Sequence, residues 1–318
     1  MDAVGSLLDG PRARDAFLLR ASMDPPWGID VQDEAPLTVL AVVRGEAWVV
    51  AGAGPPRSLE PGDVALVRGP DPYLIADDPA TSPQIFVGPE QQCVSLSGEP
   101  LHESMSLGVR TWGNTEDGED VILIGTYGLG GHVGRRLLEA LPALVVLDAE
   151  NWNSPLIAVL AEEVVKDEPG QAAVLDRLLD LLLVALVRAW LTQADADGPA
   201  WYSAYRDPIV GGALRLIEGN PTEPWTVAGL AGEVGISRAA LARRFTRLVG
   251  EPPMRYLAEW RITLAADLLL EPGTTVESVA AEVGYGSAFA LSTAFKRIRG
   301  ITPREHRTIR PAQERAAA

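Results

Sequence analysis

One feature narrows the fold of this chain more than any other: a stretch near the C-terminus is written twice. Residues 226–253 read TVAGLAGEVGISRAALARRFTRLVGEPP and residues 275–303 read TVESVAAEVGYGSAFALSTAFKRIRGITP; with one residue inserted at Tyr285-Gly286, the copies agree at 13 of 28 positions. A close internal repeat is one supersecondary unit built twice. Each copy begins with a threonine, Thr226 or Thr275, able to cap a short helix, and Gly235 or Gly284 supplies the left-handed backbone that ends it. A serine, Ser237 or Ser287, then caps a second helix in which Leu241 with Phe245, and Leu291 with Phe295, share one face at a spacing of four. Two short helices joined by a glycine turn describe a helix-turn-helix, whose second helix enters the DNA major groove. Between the copies, PMRYLAEWRITLAADLLL (253–270) predicts one helix with proline in its first turn, about 27 Å long at 1.5 Å per residue. That length is of the order of one DNA turn, ~34 Å, so two rigidly joined helix pairs are expected to reach successive major grooves on one face of the duplex.

The net charge of -16 argues at first against a nucleic-acid partner. Divided at Asp207, the sum comes apart: residues 207–318 hold 14 basic and 12 acidic side chains, net +2, while residues 1–206 hold 13 basic and 31 acidic, net -18. Six arginines between Arg238 and Arg261 are set against only Glu251 and Glu259, and seven basic residues between Lys296 and Arg315 against only Glu305 and Glu314. Both clusters fall on or just after a second helix, where phosphates would lie. The chain uses 25 Arg and 2 Lys, a habit that explains arginine over lysine but not the clustering.

The stretch from Asp207 to Arg307 resembles the DNA-binding domain of the AraC/XylS family of transcription regulators, through SRAALARRFTRLVGEPPMRYLAEWRITLAADLL and VAAEVGYGSAFALSTAFKRIRGITPREHR. The resemblance implies base contacts from the exposed faces of the two second helices. In the first these are Arg238, Ala239, Ala242 and Arg243, beside the cap Ser237; in the second, Ala288, Phe289, Ser292 and Thr293, beside the cap Ser287. Arg244, Arg247, Lys296 and Arg297 are then phosphate or structural contacts. Relatives commonly carry arginine where Thr293 stands, and arginine is the side chain best suited to a bidentate contact with guanine. Most direct base readout is therefore expected from Arg238 and Arg243, with the second motif mainly holding position on the backbone.

At 318 residues the chain has room for a second domain of about 150 residues upstream. There, LTVLAVV, EAWVVA, DVALVR, YLIA, QIFV and VILIGTY, between Leu37 and Tyr127, are short apolar or alternating runs broken by Gly and Pro, the pattern of an antiparallel sandwich or barrel. From Gly134 to Gln193 the periodicity turns helical; AVLDRLLDLLLVALVRAWL (173–191) is apolar on nearly every side and is expected to pack on the sheet and to meet a partner subunit. Through Gly45, Pro61-Gly62-Asp63 and the strand spacing, this half resembles the cupin-type barrel that precedes the DNA-binding domain in one branch of the same family. The predicted architecture is α+β: a sensor and dimerisation domain at 1–193, an antiparallel, cupin-like β-barrel with packed helices; a turn-rich linker at 194–206; and an all-α DNA-binding domain with two helix-turn-helix motifs at 207–318.

Many cupins hold a metal through a histidine pair, a carboxylate and a further histidine. No histidine precedes His102 here, and Tyr73 stands where relatives often have the further one, so neither metal nor cofactor is expected. Cys93, His102 and His132 lack ligand spacing. Trp27, Trp48, Tyr73, Trp112 and Tyr127 are either ordinary core or the lining of a pocket for an apolar or planar effector. A single cysteine, and an N-terminus MDAVGSLLDGPRARD without a signal-peptide core, suit a cytoplasmic chain. The aliphatic run Leu181 to Val187, closed by Asp180 and Arg188, is far short of the ~20 residues of a membrane span.

These observations predict a transcription regulator rather than an enzyme. Its expected partners are a double-stranded DNA operator, a small-molecule effector of unknown identity, a second copy of the chain, and RNA polymerase where regulation is positive. Two alternatives stand beside it. A cupin-fold enzyme with a helical appendage is disfavoured by the missing histidines and by the lack of a Ser/His/Asp or Cys/His set with a local signature. A protein-interaction module predicts no sequence-specific DNA binding.

Overall fold

The computed structural model describes residues 17–128, 138–152, 154–193, 204–271 and 273–308. These fall into two compact units, one holding the described residues up to 193 and the other those from 204. His132 and most of the stretch 194–206 lie outside the described residues.

In the first unit the strands are β1 (Phe17–Met23), β2 (Gly28–Val31), β3 (Leu37–Arg44), β4 (Ala47–Ala51), β5 (Arg57–Leu59), β6 (Val64–Arg68), β7 (Tyr73–Ala76), β8 (Ile85–Gly88), β9 (Gln92–Ser95), β10 (Ser106–Gly108), β11 (Thr111–Gly113), β12 (Asp120–Tyr127) and β13 (Leu144–Leu147). They form a seven-stranded sheet in the order β10-β11-β1-β12-β3-β6-β13 and a six-stranded sheet in the order β5-β4-β7-β2-β8-β9. The closed antiparallel barrel expected from the sequence is corrected on two counts. The sheets are open and separate, and the pairs β1–β11 and β2–β8 are parallel. Closure requires edge strands long enough to pair across the gap, whereas the edges β5, β9, β10 and β13 have only three or four residues. Large side chains also hold the layers apart, because Trp27, Tyr73 and Trp112 sit in the core between them.

Alternation along each strand decides which side chains enter that core. Ala47, Val49 and Ala51 of β4 point inward while Trp48 and Val50 point out. β3 is buried on both faces: Leu40 and Val42 join the core, and Val39 and Ala41 meet Ile157, Leu160, Leu179 and Leu182 on helices behind the sheet. Those helices follow a short α1 (Ala149–Trp152) and are α2 (Leu156–Glu163) and α3 (Gln171–Gln193). The Tyr127 hydroxyl donates to the Leu179 carbonyl at 3.0 Å and ties α3 to β12. A further correction concerns Leu144–Leu147, inside the stretch predicted helical: it is strand β13, paired with β6. Pro142 and Asp148 bound a five-residue run with two adjacent valines, which fits a pleated edge better than a helical turn.

A buried carboxylate organises one end of this unit. Asp120 accepts from the Trp27 indole Nε1 at 2.7 Å and from the Glu46 backbone N–H at 2.9 Å. Gly45, at φ +77°, turns the chain over it, and a Cβ there would collide with the carboxylate.

The second unit is helical: α4 (Pro208–Gly219), α5 (Val227–Glu233), α6 (Arg238–Val249), α7 (Pro253–Leu268), α8 (Val276–Glu282), α9 (Ala288–Arg299) and a last helical segment at 303–308. The turn glycines Gly235 and Gly284, at φ +72° and +83°, adopt the left-handed backbone that the repeat predicts. Helix α7 spans 16 residues, two fewer than expected, or about 24 Å. Its first half supplies Tyr256, Leu257 and Trp260 to a core with Leu230, Leu241 and Phe245. Its second half supplies Ile262, Ala265 and Ala266 to a separate core with Val279, Leu291 and Phe295.

Candidate nucleic-acid interface

The two helix pairs are built by the same local rules. Thr226 Oγ1 accepts from the Gly229 N–H at 3.0 Å to start α5, and Thr275 Oγ1 accepts from the Ser278 N–H at 3.0 Å to start α8. Ser237 caps α6 through the Ala240 N–H and Ser287 caps α9 through the Ala290 N–H, both at 3.2 Å. Leu241 and Phe245 turn one face of α6 inward and Leu291 and Phe295 do the same for α9, all fully buried. Capping and burial together fix which residues look outward.

On α6 the outward set is Ser237, Arg238, Ala239, Arg243 and Arg247, all exposed, with Ala242 half-buried beside them. No ion pair holds Arg238, Arg243 or Arg247 among the described residues; Arg243 and Arg247, one turn apart, share a face, and Arg238 stands at the start of the helix. Arg244 is different: its Nε and Nη2 donate to Asp207 Oδ2 at 2.9 and 2.6 Å. The same carboxylate caps α4 by accepting from the Ile209 and Val210 N–H groups at 3.0 and 2.9 Å. Burial alone would raise the Asp207 carboxyl, but the bonds from Val210, Arg244 and Ile209 hold it below its ordinary range. Of the other arginines in this cluster, Arg255 pairs with Glu251 and Glu259. Arg261 donates to the Pro221 and Glu223 carbonyls and lies over the Tyr285 ring at 5.8 Å.

On α9 the outward residues are Phe289, Thr293, Lys296 and Arg297, with Ser287, Ala288 and Ser292 half-buried. Phe289 is 82 % exposed. The Thr293 hydroxyl donates its one hydrogen to the Phe289 carbonyl at 2.9 Å. The Ala288 N–H, at the start of α9, donates to Glu277 Oε2 at 3.2 Å; the matching residue of the first copy, Ala228, has no carboxylate to offer. Arg307 is taken up by the carbonyls of Leu269 and Thr274, at 3.0 and 2.6 Å.

The five aromatic candidates of the first unit do not all come together: three share one core and two lie outside it. Trp27, Tyr73 and Trp112 lie in the core between the sheets. Tyr127 is buried with its hydroxyl on α3, and Trp48 faces a small cavity of about 20 Å³ with Leu74, Pro79 and Pro83. A second cavity, of about 10 Å³, lies between the sheet and α2 and α3. Either has room for about one water. Trp112 Nε1 is buried with no acceptor among the described residues, a feature that no sequence signal announces. Burial, helped by the Asp33 charge, pushes the Tyr73 phenol well above its ordinary range despite its bond with Thr38. No group of three or more His, Cys, Asp or Glu gathers as a metal site among the described residues. Cys93 is half-buried, which raises its thiol, and His102 is exposed. No helix among the described residues is long and apolar enough to cross a membrane.

Comparison with known proteins agrees with this division. A family described as Cupin matches residues 2–192, and a family described as Helix-turn-helix domain matches residues 230–309. An AraC-like transcription regulator of Streptomyces lividans is 33% identical over 285 residues, covering 87% of this chain and 89% of that protein. A second, from Streptomyces antibioticus, is 30% identical over 287 residues, covering 88% of this chain and 90% of that one. The HTH-type transcriptional regulator AlkR of Acinetobacter baylyi is 25% identical over 320 residues, covering 96% and 99%. These relatives are named as regulators of transcription, not as enzymes. With an N-terminal, sheet-rich cupin domain and a helical C-terminal domain of the helix-turn-helix type, the chain belongs to the AraC-like, DNA-binding transcription regulators.

Proposed function

We propose that the protein is a sequence-specific regulator whose two helix pairs act as helix-turn-helix motifs on one double-stranded operator, under the control of a small molecule bound by the N-terminal domain. The single observation that carries the DNA half is that Arg238, Arg243 and Arg247 are all exposed on α6, with no ion pair among the described residues, while Leu241 and Phe245 face inward. Arg243 and Arg238 are suited to guanine O6 and N7, and Arg247, Lys296 and Arg297 to phosphates. In this reading Arg244 serves the fold. Residues 1–193 form the sensor, 194–206 the linker and 207–318 the DNA-binding domain. The acidity of the sensor half, net -18 over residues 1–206, keeps that half off the duplex.

For the effector, the core around Trp27, Tyr73 and Trp112 is the favoured place, and the unmatched Trp112 Nε1 suits a planar molecule with a hydrogen-bond acceptor. Trp27, Tyr73 and Trp112 are packed in the core between the sheets, so in this reading entry of the effector parts the two layers. Homodimerisation fits the outer side of α3, where Val174 and Leu181 are exposed. An activating role would add RNA polymerase as a partner.

Retention of selected genomic fragments by the purified chain tests the function. Selective complexes are expected whose affinity falls with salt, with a log–log slope of about -0.9 for each phosphate neutralised. Salt-independent or wholly unselective binding would overturn it.

A further inference from the structure

The repeat permits comparison of the two outward faces position by position. Ala239 of α6 corresponds to Phe289 of α9, and Arg243 to Thr293. One helix therefore shows a small residue followed one turn later by a cation, and the other a large apolar ring followed by a β-branched residue. Three observations on α9 point the same way. The Phe289 ring is 82 % exposed at the first turn, a position where solvent contact of a phenyl group gains nothing for the fold. The hydroxyl of Thr293 donates to the Phe289 carbonyl, so this side chain has no free donor and its methyl is its one apolar group. Glu277 sits on the Ala288 N–H, so the start of α9 carries a carboxylate where an open helix end would attract a phosphate. Lys296 and Arg297, about one turn beyond Thr293, and Arg304, past the end of the helix, are exposed.

An apolar pair followed along the same helix by cations matches the major groove, where thymine C5-methyl groups project between two phosphate backbones. We infer that Phe289, backed by the Thr293 methyl, reads thymine methyls in the second half of the operator, making α9 a specificity element and not only a clamp on the backbone. The inference rests on the DNA-binding function proposed above. Lys296, Arg297 and Arg304 supply the phosphate contacts that hold the ring against the groove floor. The operator is then asymmetric: guanine contacts under α6 and one or two thymines under α9.

Deoxyuridine tests this directly, because it keeps the thymine O4 acceptor and removes only the methyl. A duplex selected by the full chain is resynthesised with dU for dT at each position in turn, and the Arg243→Ala protein, whose specificity relaxes at one base pair, marks the half under α6. In the other half the wild-type chain is expected to lose about fourfold in affinity at one or two positions, the worth of one buried methyl. Phe289→Ala is expected to bind dT and dU duplexes alike; the ring is exposed, so the helix is not undermined. Equal affinity of the wild type for dT and dU throughout that half, or a dT preference that survives in Phe289→Ala, would overturn the inference and leave DNA binding standing. Failure to select any duplex would overturn both.

Discussion

Helices α6 and α9 share their inward chemistry and differ in their outward chemistry. Leu241 and Phe245 against Leu291 and Phe295 are the same pair of fully buried side chains, each set in its own core. Outward, the first helix carries Arg238 and Arg243 where the second carries Ala288 and Thr293. The inward face is constrained by packing, where one wrong volume costs several kcal/mol. The outward face is free of that packing constraint, so the duplicate copies keep the scaffold and diverge in what they present.

The severest way to break the comparison is on its common side. Phe245→Ala and Phe295→Ala each remove a fully buried ring and are expected to cost about 3–5 kcal/mol, similar for the two, as read by urea unfolding. A large effect from one and a negligible effect from the other would show that the cores are not equivalent. Next comes the divergent side. Arg243→Ala is expected to weaken operator binding by about 1–3 kcal/mol and to relax selection at one base pair, while Thr293→Arg is expected to add a guanine preference in the other half; selected-site profiles of the two proteins check both.

A smaller contrast separates two neighbours on α6. Arg247→Ala is expected to lower the salt slope of DNA binding by about one phosphate equivalent. Arg244→Ala is expected to leave that slope unchanged and to cost about 1 kcal/mol of stability, because its ion pair with Asp207 is half-exposed. If both arginines move the slope equally, the Arg244–Asp207 pair is broken on DNA. The smallest expected effect is on pH dependence. The folded Asp207 carboxyl lies below its unfolded value, so its contribution is present above the ordinary aspartate range and is lost as pH falls from about 4 through the folded value. Acid unfolding of Asp207→Asn, followed by circular dichroism, should lack that component.

Both helix pairs were legible because their determinants are local. Thr226, Ser237, Thr275 and Ser287 all cap as their spacing predicts, over three residues. What was not legible is what comes from far along the chain. Arg244 looks like its neighbours until Asp207, 37 residues earlier, is brought beside it. Glu277 reaches the start of α9 from 11 residues away, across a turn. In the sheet unit, long apolar strands such as β3 and β12 were visible as runs, but three-residue β10 and β11 were not, since their pairing comes from β1 and from each other. Nor does alternation alone tell which layer a strand joins, and the parallel pairs that decide between an open sandwich and a barrel carry no local signature.

Helix α7 belongs half to one core and half to the other, and that division has a consequence for the operator. If both helix pairs enter the operator as proposed, then once α6 is seated α9 reaches its groove at a high effective concentration, without a search through linker conformations. The cost of such stiffness is phase. One base pair inserted between the half-sites rotates the second by about 34° around the duplex axis, and a rod anchored by packed side chains at both ends has little slack with which to follow.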